Sequence, residues 1–290
     1  MKKLIALIII MITFTLAACS ADNVQQGQEK TITETIKIGA IPDQNAADLN
    51  RSMKDFAKDL GEKTGFNVEY VPSVDYSALV TAFERGEIQL AWFGGLTGVQ
   101  ARSVVPEAEA IAQRPIDEKF KSVFIAQKDL EIDELEDLQG KSFTFGSESS
   151  TSGHLMPRYF MMEAGINPDM DLDGKPQYSG SHDKTYKLVE SGAFQTGALN
   201  ISVWEAAVKE GKVDESKVKV FYTTPEYYDY NWTVNKLDNS TKEKLKEAIL
   251  SMDAGDNEVM KLMQADKFIE TKNENYAAIE QVAKELKIIK

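Results

Sequence analysis

Apolar residues in this chain switch repeatedly between a period of two and a period near 3.6, and the whole alternation runs through twice. Ile36-Lys37-Ile38-Gly39-Ala40-Ile41 alternates as a strand, and beyond the Pro42-Asp43-Gln44-Asn45 turn the positions Leu49, Met53, Phe56 and Leu60 mark one face of a helix. Phe66 to Val71 reads as a second strand. Tyr76, Leu79, Val80 and Phe83 form a helical stripe ending near Gly86, and Ile88 to Phe93 is a third strand closing on Gly94-Gly95. Ser122 to Ala126 reads as a crossing strand, and after the acidic stretch Glu131 to Asp137 the order restarts. Its second round comprises a strand at Ser142 to Phe145, a helix from Ser150 to Ala164, a helix around Tyr186 to Val189, a strand at Thr196 to Leu199 and a helix from Val203 to Lys209. Val218 to Tyr222 then leads into an aromatic loop, Pro225 to Trp232, followed by Thr233-Val234 and helices rich in Lys, Glu and Ala. Alternation of this kind predicts a parallel sheet in each of two α/β lobes, residues 36–122 with 225–290 and residues 123–224. Crossing segments between two such lobes leave a cleft where strand ends and helix starts converge, and that cleft is where a site is expected.

The start of the chain carries Lys2 and Lys3, an apolar run from Leu4 to Leu16, and Ala17-Ala18 before Cys19, the only cysteine. Basic, apolar and small residues in that order form an export signal, residues 1–18. Leu16-Ala17-Ala18-Cys19 resembles the lipobox read by bacterial lipoprotein signal peptidase, which would leave Cys19 as the first residue, carrying more than one acyl chain as stable anchoring requires. A structural cysteine is the plainer reading of one Cys, but its place at the end of the apolar run fits that poorly. Ser20 to Thr35 is polar and lacks aromatic residues, so residues 19–35 read as a disordered tether. The expected location is the cell envelope, either lipid-anchored on the outer face of the cell membrane or periplasmic, with that anchor as the sole membrane attachment.

The formal net charge is −13, and removing Lys2 and Lys3 takes it to −15. Nucleic acid and anionic membrane surfaces are therefore poor partners. Distant surface charge is screened beyond about 8 Å, so a small anion can still be held if its site is built locally.

Phe145-Gly146-Ser147-Glu148-Ser149-Ser150-Thr151-Ser152-Gly153-His154 runs from a strand end into a helix start. Unpaired N–H groups, hydroxyls and the positive helix end together make an anion cradle. Capping by a single serine would need only one of the hydroxyls at Ser150, Thr151 and Ser152. No lysine follows in the pattern of a nucleotide-binding loop. Two histidines, His154 and His182, without a cysteine partner give little support for a metal, and no cofactor is expected.

Ser150-Thr151-Ser152-Gly153 resembles the turn with which the phosphate, phosphite and phosphonate-binding proteins of ABC transporters cup an oxyanion. The resemblance continues through Leu135 to Gly140 and through Gly180-Ser181-His182-Asp183, and it covers nearly all of the chain beyond the tether. It implies a two-lobed α/β fold of the periplasmic-binding-protein type (type II), a monomer that binds a small tetrahedral oxyanion and delivers it to an ABC transporter permease without chemistry. It also implies ligand contacts from Ser150, Thr151, Ser152, His182 and Asp229, with Tyr76, Tyr228, Asn200 and the Phe93-Gly94 backbone around them and Asp43 to Asn45 closing over the site. Beside an oxyanion a protonated His182 would be favoured, and an ionised Asp229 would accept from an oxyanion that keeps a proton while repelling selenate or sulfate.

Departures from the family's pattern lie at Gly95 and Gly98, where phosphonate binders usually carry Pro and Tyr, and at Leu199-Asn200-Ile201-Ser202, which lacks the acidic residue used for an aminoalkyl group. The Trp92-Phe93-Gly94-Gly95 and Tyr228-Asp229-Tyr230-Asn231-Trp232 segments resemble a branch associated with selenate, the alternative ligand. A different class of reading is a serine hydrolase or phosphatase using Ser150, His182 and Asp183. Adjacent His and Asp side chains rarely orient each other, however, and there is no Gly-x-Ser-x-Gly elbow. A lipid-anchored adhesin or sensor is the third.

Overall fold

A computed structural model describes residues 35–255, 260–261 and 263–289; the expected signal, Cys19 and the tether up to residue 34 lie outside the described residues. In chain order the first elements are β1 (Thr35–Ala40), α1 (Ala46–Thr64), β2 (Asn67–Tyr70), α2 (Tyr76–Glu84), β3 (Leu90–Phe93), α3 (Gly95–Val104), β4 (Glu109–Gln113) and β5 (Ser122–Gln127). They continue with β6 (Phe143–Phe145), α4 (Met156–Glu163), β7 (Gln177–Tyr178), α5 (His182–Glu190), β8 (Thr196–Asn200), α6 (Ile201–Lys209) and β9 (Val218–Thr223). Last come β10 (Asn231–Val234), α7 (Asn239–Leu250), β11 (Ile269–Glu270) and α8 (Ala277–Glu285).

The strands form two sheets, one in the order β11-β4-β10-β3-β1-β2 and the other β7-β6-β8-β5-β9. Pairs made within each repeating strand-helix series are parallel, as β1 is to β2 and β3 and as β6 is to β7 and β8. The sheets are mixed rather than parallel throughout, because β5 and β10 are the strands by which the chain enters each sheet from the other. Each therefore runs antiparallel to its neighbours. α3 and β4 have no counterpart in the periodicity reading, since two glycines and few large apolar residues blur the helix and a short alanine-rich stretch blurs the strand.

The stripe of α1 packs its Phe56 against Trp232 with rings 4.4 Å apart, Asn45 Oδ1 caps the helix by accepting from the amides of Ala47 and Asp48, and Gly65 at φ 72° ends it. Leu155 and Met156, which follow the serine-rich turn of the second sheet, are buried in the same apolar cluster as β1, β3 and α1. Apolar packing thus continues across the gap between the sheets.

Two segments cross side by side. Phe120 and Tyr227 exchange both backbone hydrogen bonds, at 2.9 and 3.0 Å, and the Asp229 amide donates to the Asp117 carbonyl at 3.0 Å. The crossing is pinned by a buried ion pair: Arg114 donates from Nε and Nη2 to the two Asp117 oxygens at 2.8 and 2.7 Å, and from Nη1 to the Met263 carbonyl at 2.9 Å. Removing one partner of such a pair strands the other charge in the interior. Asp117→Ala is expected to cost about 3–5 kcal/mol, read as a lower urea midpoint. An unchanged midpoint would show that the pair does not hold the crossing.

Candidate functional site

β6 ends in the turn foreseen from the hydroxyl run, but the turn opens as a π-helix, Thr151–Leu155, before α4 begins. Ser150 caps it, its Oγ accepting from the Gly153 amide at 2.9 Å, while the Leu155 amide reaches back five residues to the Ser150 carbonyl at 3.0 Å. Pro157 has no N–H to offer to the Ser152 carbonyl, which accepts instead from Ser122 Oγ at 2.8 Å. The wide turn brings three successive hydroxyls and the opening amides of the helix to one buried place, with Ser150, Thr151 and Ser152 all at or below 2% exposure.

Across the gap, α3 begins with two amides that are both used between elements. Gly95 N–H donates to Asp229 Oδ1 at 2.9 Å, and Leu96 N–H donates to Thr151 Oγ1 at 2.9 Å. Gly94 sits close against both acceptors, since a Cβ there would lie 3.1 Å from Thr151 Oγ1 and 3.2 Å from Asp229 Oδ1 and would press each of them back by a few tenths of an ångström. Asp229 is fully buried, and burial pushes its carboxyl up to about 7. The Gly95 amide and the Thr151 and Ser152 hydroxyls pull in the other direction, and the neighbouring Asp117 raises it further. Its Oδ2 has no hydrogen-bond partner.

His182 starts α5 and is completely buried. Its Nδ1 accepts from the Asn200 amide at 3.3 Å, which leaves Nε2 carrying the proton with no partner. Burial pushes its pKa down to about 3, which makes the ring neutral when no anion is bound; the sequence-based expectation of a protonated form applies only beside an oxyanion. It packs directly on the turn: a Cβ at Gly153 would lie 3.0 Å from both His182 Cε1 and Ser150 Oγ. Tyr76, the first residue of α2, completes the group. Its hydroxyl is buried beside Ser150, feels Asp43 and Asp229, and has no acceptor of good geometry.

Of the residues singled out from sequence, the structure therefore gathers Ser150, Thr151, Ser152, His182, Asp229, Tyr76 and Gly94. Tyr228 is a correction: its ring lies edge-on to Tyr276, 5.8 Å away, and only its backbone approaches Gly95. Phe93 points into the core against Phe83, with rings 5.3 Å apart. The Asn200 side chain is also turned from the turn, its Oδ1 capping α6 by accepting from the Val203 amide and its Nδ2 donating to Tyr230 Oη at 2.9 Å. Tyr230, missed from the sequence, in turn donates to Asp43 Oδ2 at 2.7 Å. Asn45, one of the residues expected to close over the site, spends its side chain on the α1 cap. The triad alternative has no geometry, because the only ring nitrogen of His182 with a partner faces a backbone amide and Asp183 accepts from Ser181 Oγ at 2.6 Å. His154 belongs to a different group, its Nδ1 at 2.7 Å from the Glu148 carbonyl and its Nε2 accepting from Arg158 Nε.

A family model described as the phosphonate periplasmic substrate-binding protein of ABC transporters matches residues 38–276. The chain belongs to that family. It is 40% identical over 271 residues to the probable ABC transporter phosphite binding protein PhnD1 of Prochlorococcus marinus, covering 89% of this chain and 91% of that one. It is 28% identical over 218 residues to the phosphate-import protein PhnD of Mycolicibacterium smegmatis, covering 71% and 68%. The crystal structure of Prochlorococcus marinus PhnD1 in complex with methylphosphonate matches at a TM-score of 0.84, over 88% of this chain and 99% of that one. The aliphatic sulphonate binding protein SsuA of Escherichia coli, 14% identical with a TM-score of 0.61 over 88% of each chain, shares the fold alone. The family consists of substrate-binding components rather than enzymes, so the hydrolase reading is set aside on membership as well as on geometry.

Within this family member, the buried acid and imidazole groups pull stability in opposite directions. Asp229 and Asp43 are raised to about 7 and about 6, so their contribution is present below pH 4 and lost as pH rises through those values. His182 and His154 are lowered to about 3 and about 4, and their contribution is lost as pH falls from 6.5 through those values. Of these four groups Asp229 alone has its folded-state value near pH 7, so a substitution there isolates its part from the opposing tail of the two imidazoles. Asp229→Asn in the ligand-free protein should raise the melting temperature more at pH 8 than at pH 5. An equal change at both would mean that the carboxyl does not titrate in this range.

Proposed function

We propose that this chain, a substrate-binding component of an ABC importer, captures phosphite or a small phosphonate between its two lobes, residues 36–122 with 225–290 and residues 123–224, and presents it to the permease. One observation carries the reading: three buried polar atoms without partners, His182 Nε2, Tyr76 Oη and Asp229 Oδ2, flank one hydroxyl-rich turn. The first is a donor, the second can donate, and the third accepts when ionised or donates when protonated. That set matches a tetrahedral group with several acceptor oxygens and one exchangeable proton. Selectivity for phosphorus over sulfur or selenium oxyanions then depends on where the shared proton sits. With Asp229 raised to about 7, the carboxyl can donate to a dianion or accept from a monoanion near neutral pH.

Support comes also from the methylphosphonate complex of the 40% identical Prochlorococcus marinus PhnD1 and from the phosphite named for that relative. Hydrogen bonds to a charged group contribute about 1.5–3 kcal/mol each. Four or five of them sum to about 6–15 kcal/mol, which brackets the roughly 8 kcal/mol of micromolar affinity and leaves room for ordering costs only toward the upper end. We further read Cys19 as the lipidated residue that tethers the chain to the membrane; Cys19→Ala should release the protein into the soluble fraction, and retention on membranes would end that reading.

Thr151→Ala removes a hydroxyl held by the Leu96 amide and facing Asp229. Calorimetry with methylphosphonate should show affinity lowered about tenfold or more, with Thr151→Ser recovering most of it. Equal affinity in Thr151→Ala would remove the turn from the binding site.

Affinity for methylphosphonate should also fall as pH rises above about 7, because both Asp229 and the ligand are then fully ionised and repel. Sulfate, which brings no proton, should bind measurably only below that pH. Sulfate binding that is strong at pH 8 would contradict the assignment of Asp229.

A further inference from the structure

Behind the turn lies a hydrogen-bonded bar joining three segments of the chain. Asn200 Nδ2 donates to Tyr230 Oη at 2.9 Å and Tyr230 Oη donates to Asp43 Oδ2 at 2.7 Å, all three residues being at least nine-tenths buried. On one side the bar meets the proposed anion site. The Asp43 carbonyl accepts from the His182 amide at 3.0 Å, the Asn200 amide donates to His182 Nδ1, and Tyr76 feels the Asp43 charge. On the other side the same three side chains line a cavity of about 30 Å³.

That cavity is polar in an unusual way. Ser52 on α1 and Ser202 on α6 both line it, and both hydroxyls are buried without any hydrogen-bond partner. Arg114 lines it as well. Ser52 and Ser202 also edge a groove of about 820 Å³ running between α1 and α6, so the cavity is the inner end of a path leading outward. One water-sized group needs roughly 10–15 Å³ by the same measure, so the cavity takes about two heavy atoms.

We propose that the bar from Asp43 through Tyr230 to Asn200 sets the largest substituent this chain accepts on its phosphorus oxyanion, and that the cavity lined by Ser52 and Ser202 is latent room for a substituent some two heavy atoms longer. The inference rests on the phosphite or phosphonate reading above and adds the residues that decide size. With the bar in place, a methyl group or a hydrogen on phosphorus ends against Tyr230 and its partners. A longer chain must break both hydrogen bonds of the tyrosine hydroxyl, leaving a buried carboxyl without its donor.

The test compares methylphosphonate with n-propylphosphonate by calorimetry on the full mature chain, in the wild type, Tyr230→Phe and Asn200→Ser. Phenylalanine keeps the ring stacked on Trp92 at 5.5 Å, and serine keeps a cap for α6 while shortening the side chain, so both variants should fold, which circular dichroism checks. One surplus methylene in a closed pocket is worth about 10–200-fold, so the wild type should prefer the methyl compound by about a hundredfold or more. Each variant should narrow that ratio by about tenfold or more, whatever its absolute affinity. A ratio unchanged in both folded variants, or a wild type that binds the two compounds equally, would overturn the role of the bar and leave the oxyanion reading standing. A folded wild type that binds neither compound would overturn the oxyanion reading itself, and this inference with it.

Discussion

A carboxyl group buried among hydroxyls and amides, with no cationic side chain bonded to it, is the constraint around which this molecule is organised. Asp229 is held at one oxygen by the first amide of α3, and the next amide of the same helix holds Thr151 on the other side of the gap. The start of one helix therefore grips residues attached to both sheets. Among the described residues no lysine or arginine hydrogen-bonds to Ser150, Thr151, His182 or Asp229, so the charge balance there is set by dipoles and by a movable proton. Burial raises Asp229 to about 7 and lowers His182, so around pH 7 the imidazole is neutral and the carboxyl is divided between its protonated and ionised forms. A donor-rich enclosure of this kind, whose one carboxyl can take up a proton, favours an anion that brings its own charge, even inside a protein whose net charge is −13.

The fold supplies this arrangement through its crossing segments. β5 and β10 enter their sheets from opposite directions, and the residues between sheets, Asp117 to Phe120 and Tyr227 to Asp229, hydrogen-bond to one another. Asp229 thus sits at the hinge itself, while Ser150 to Ser152 arrive from the tip of β6 and Tyr76 from the start of α2. Among the described residues, the buried pair of Arg114 with Asp117 makes no side-chain hydrogen bond to the turn, although Asp117 lies close enough to raise Asp229. It stabilises the crossing and places a guanidinium 5.0 Å from the Tyr230 ring centre, where it supports the bar without touching the turn.

Much of this was legible in the chain. The strand and helix order carried the two-sheet plan, and the hydroxyl run after β6, together with His182 and Asp229, marked residues that the fold does bring together. What escaped has physical causes. α3 contains Gly95 and Gly98 and shows no broad apolar stripe, so its opening amides, which bind both Asp229 and Thr151, were invisible. Tyr227, Tyr228 and Tyr230 precede the strand that starts at Asn231, where no period tells which ring turns inward, and Tyr228 was chosen where Tyr230 does the bridging. The neutrality of His182 depends on a desolvation that comes from residues scattered along the chain. A buried Asp43 needing a donor would have pointed to Tyr230, but its burial is a property of the fold and not of the local sequence.

The account stands or falls on a neutral imidazole donating to an oxyanion at a site without cations. Nitrogen-15 NMR of histidine-labelled protein at pH 7, before and after methylphosphonate is added, reads this directly. We expect His182 to stay neutral with its proton on Nε2 in both states, and the Nε2 proton to shift downfield on binding as it gains an acceptor. A doubly protonated ring in the complex, or an Nε2 resonance that does not move while the ligand binds, would contradict it.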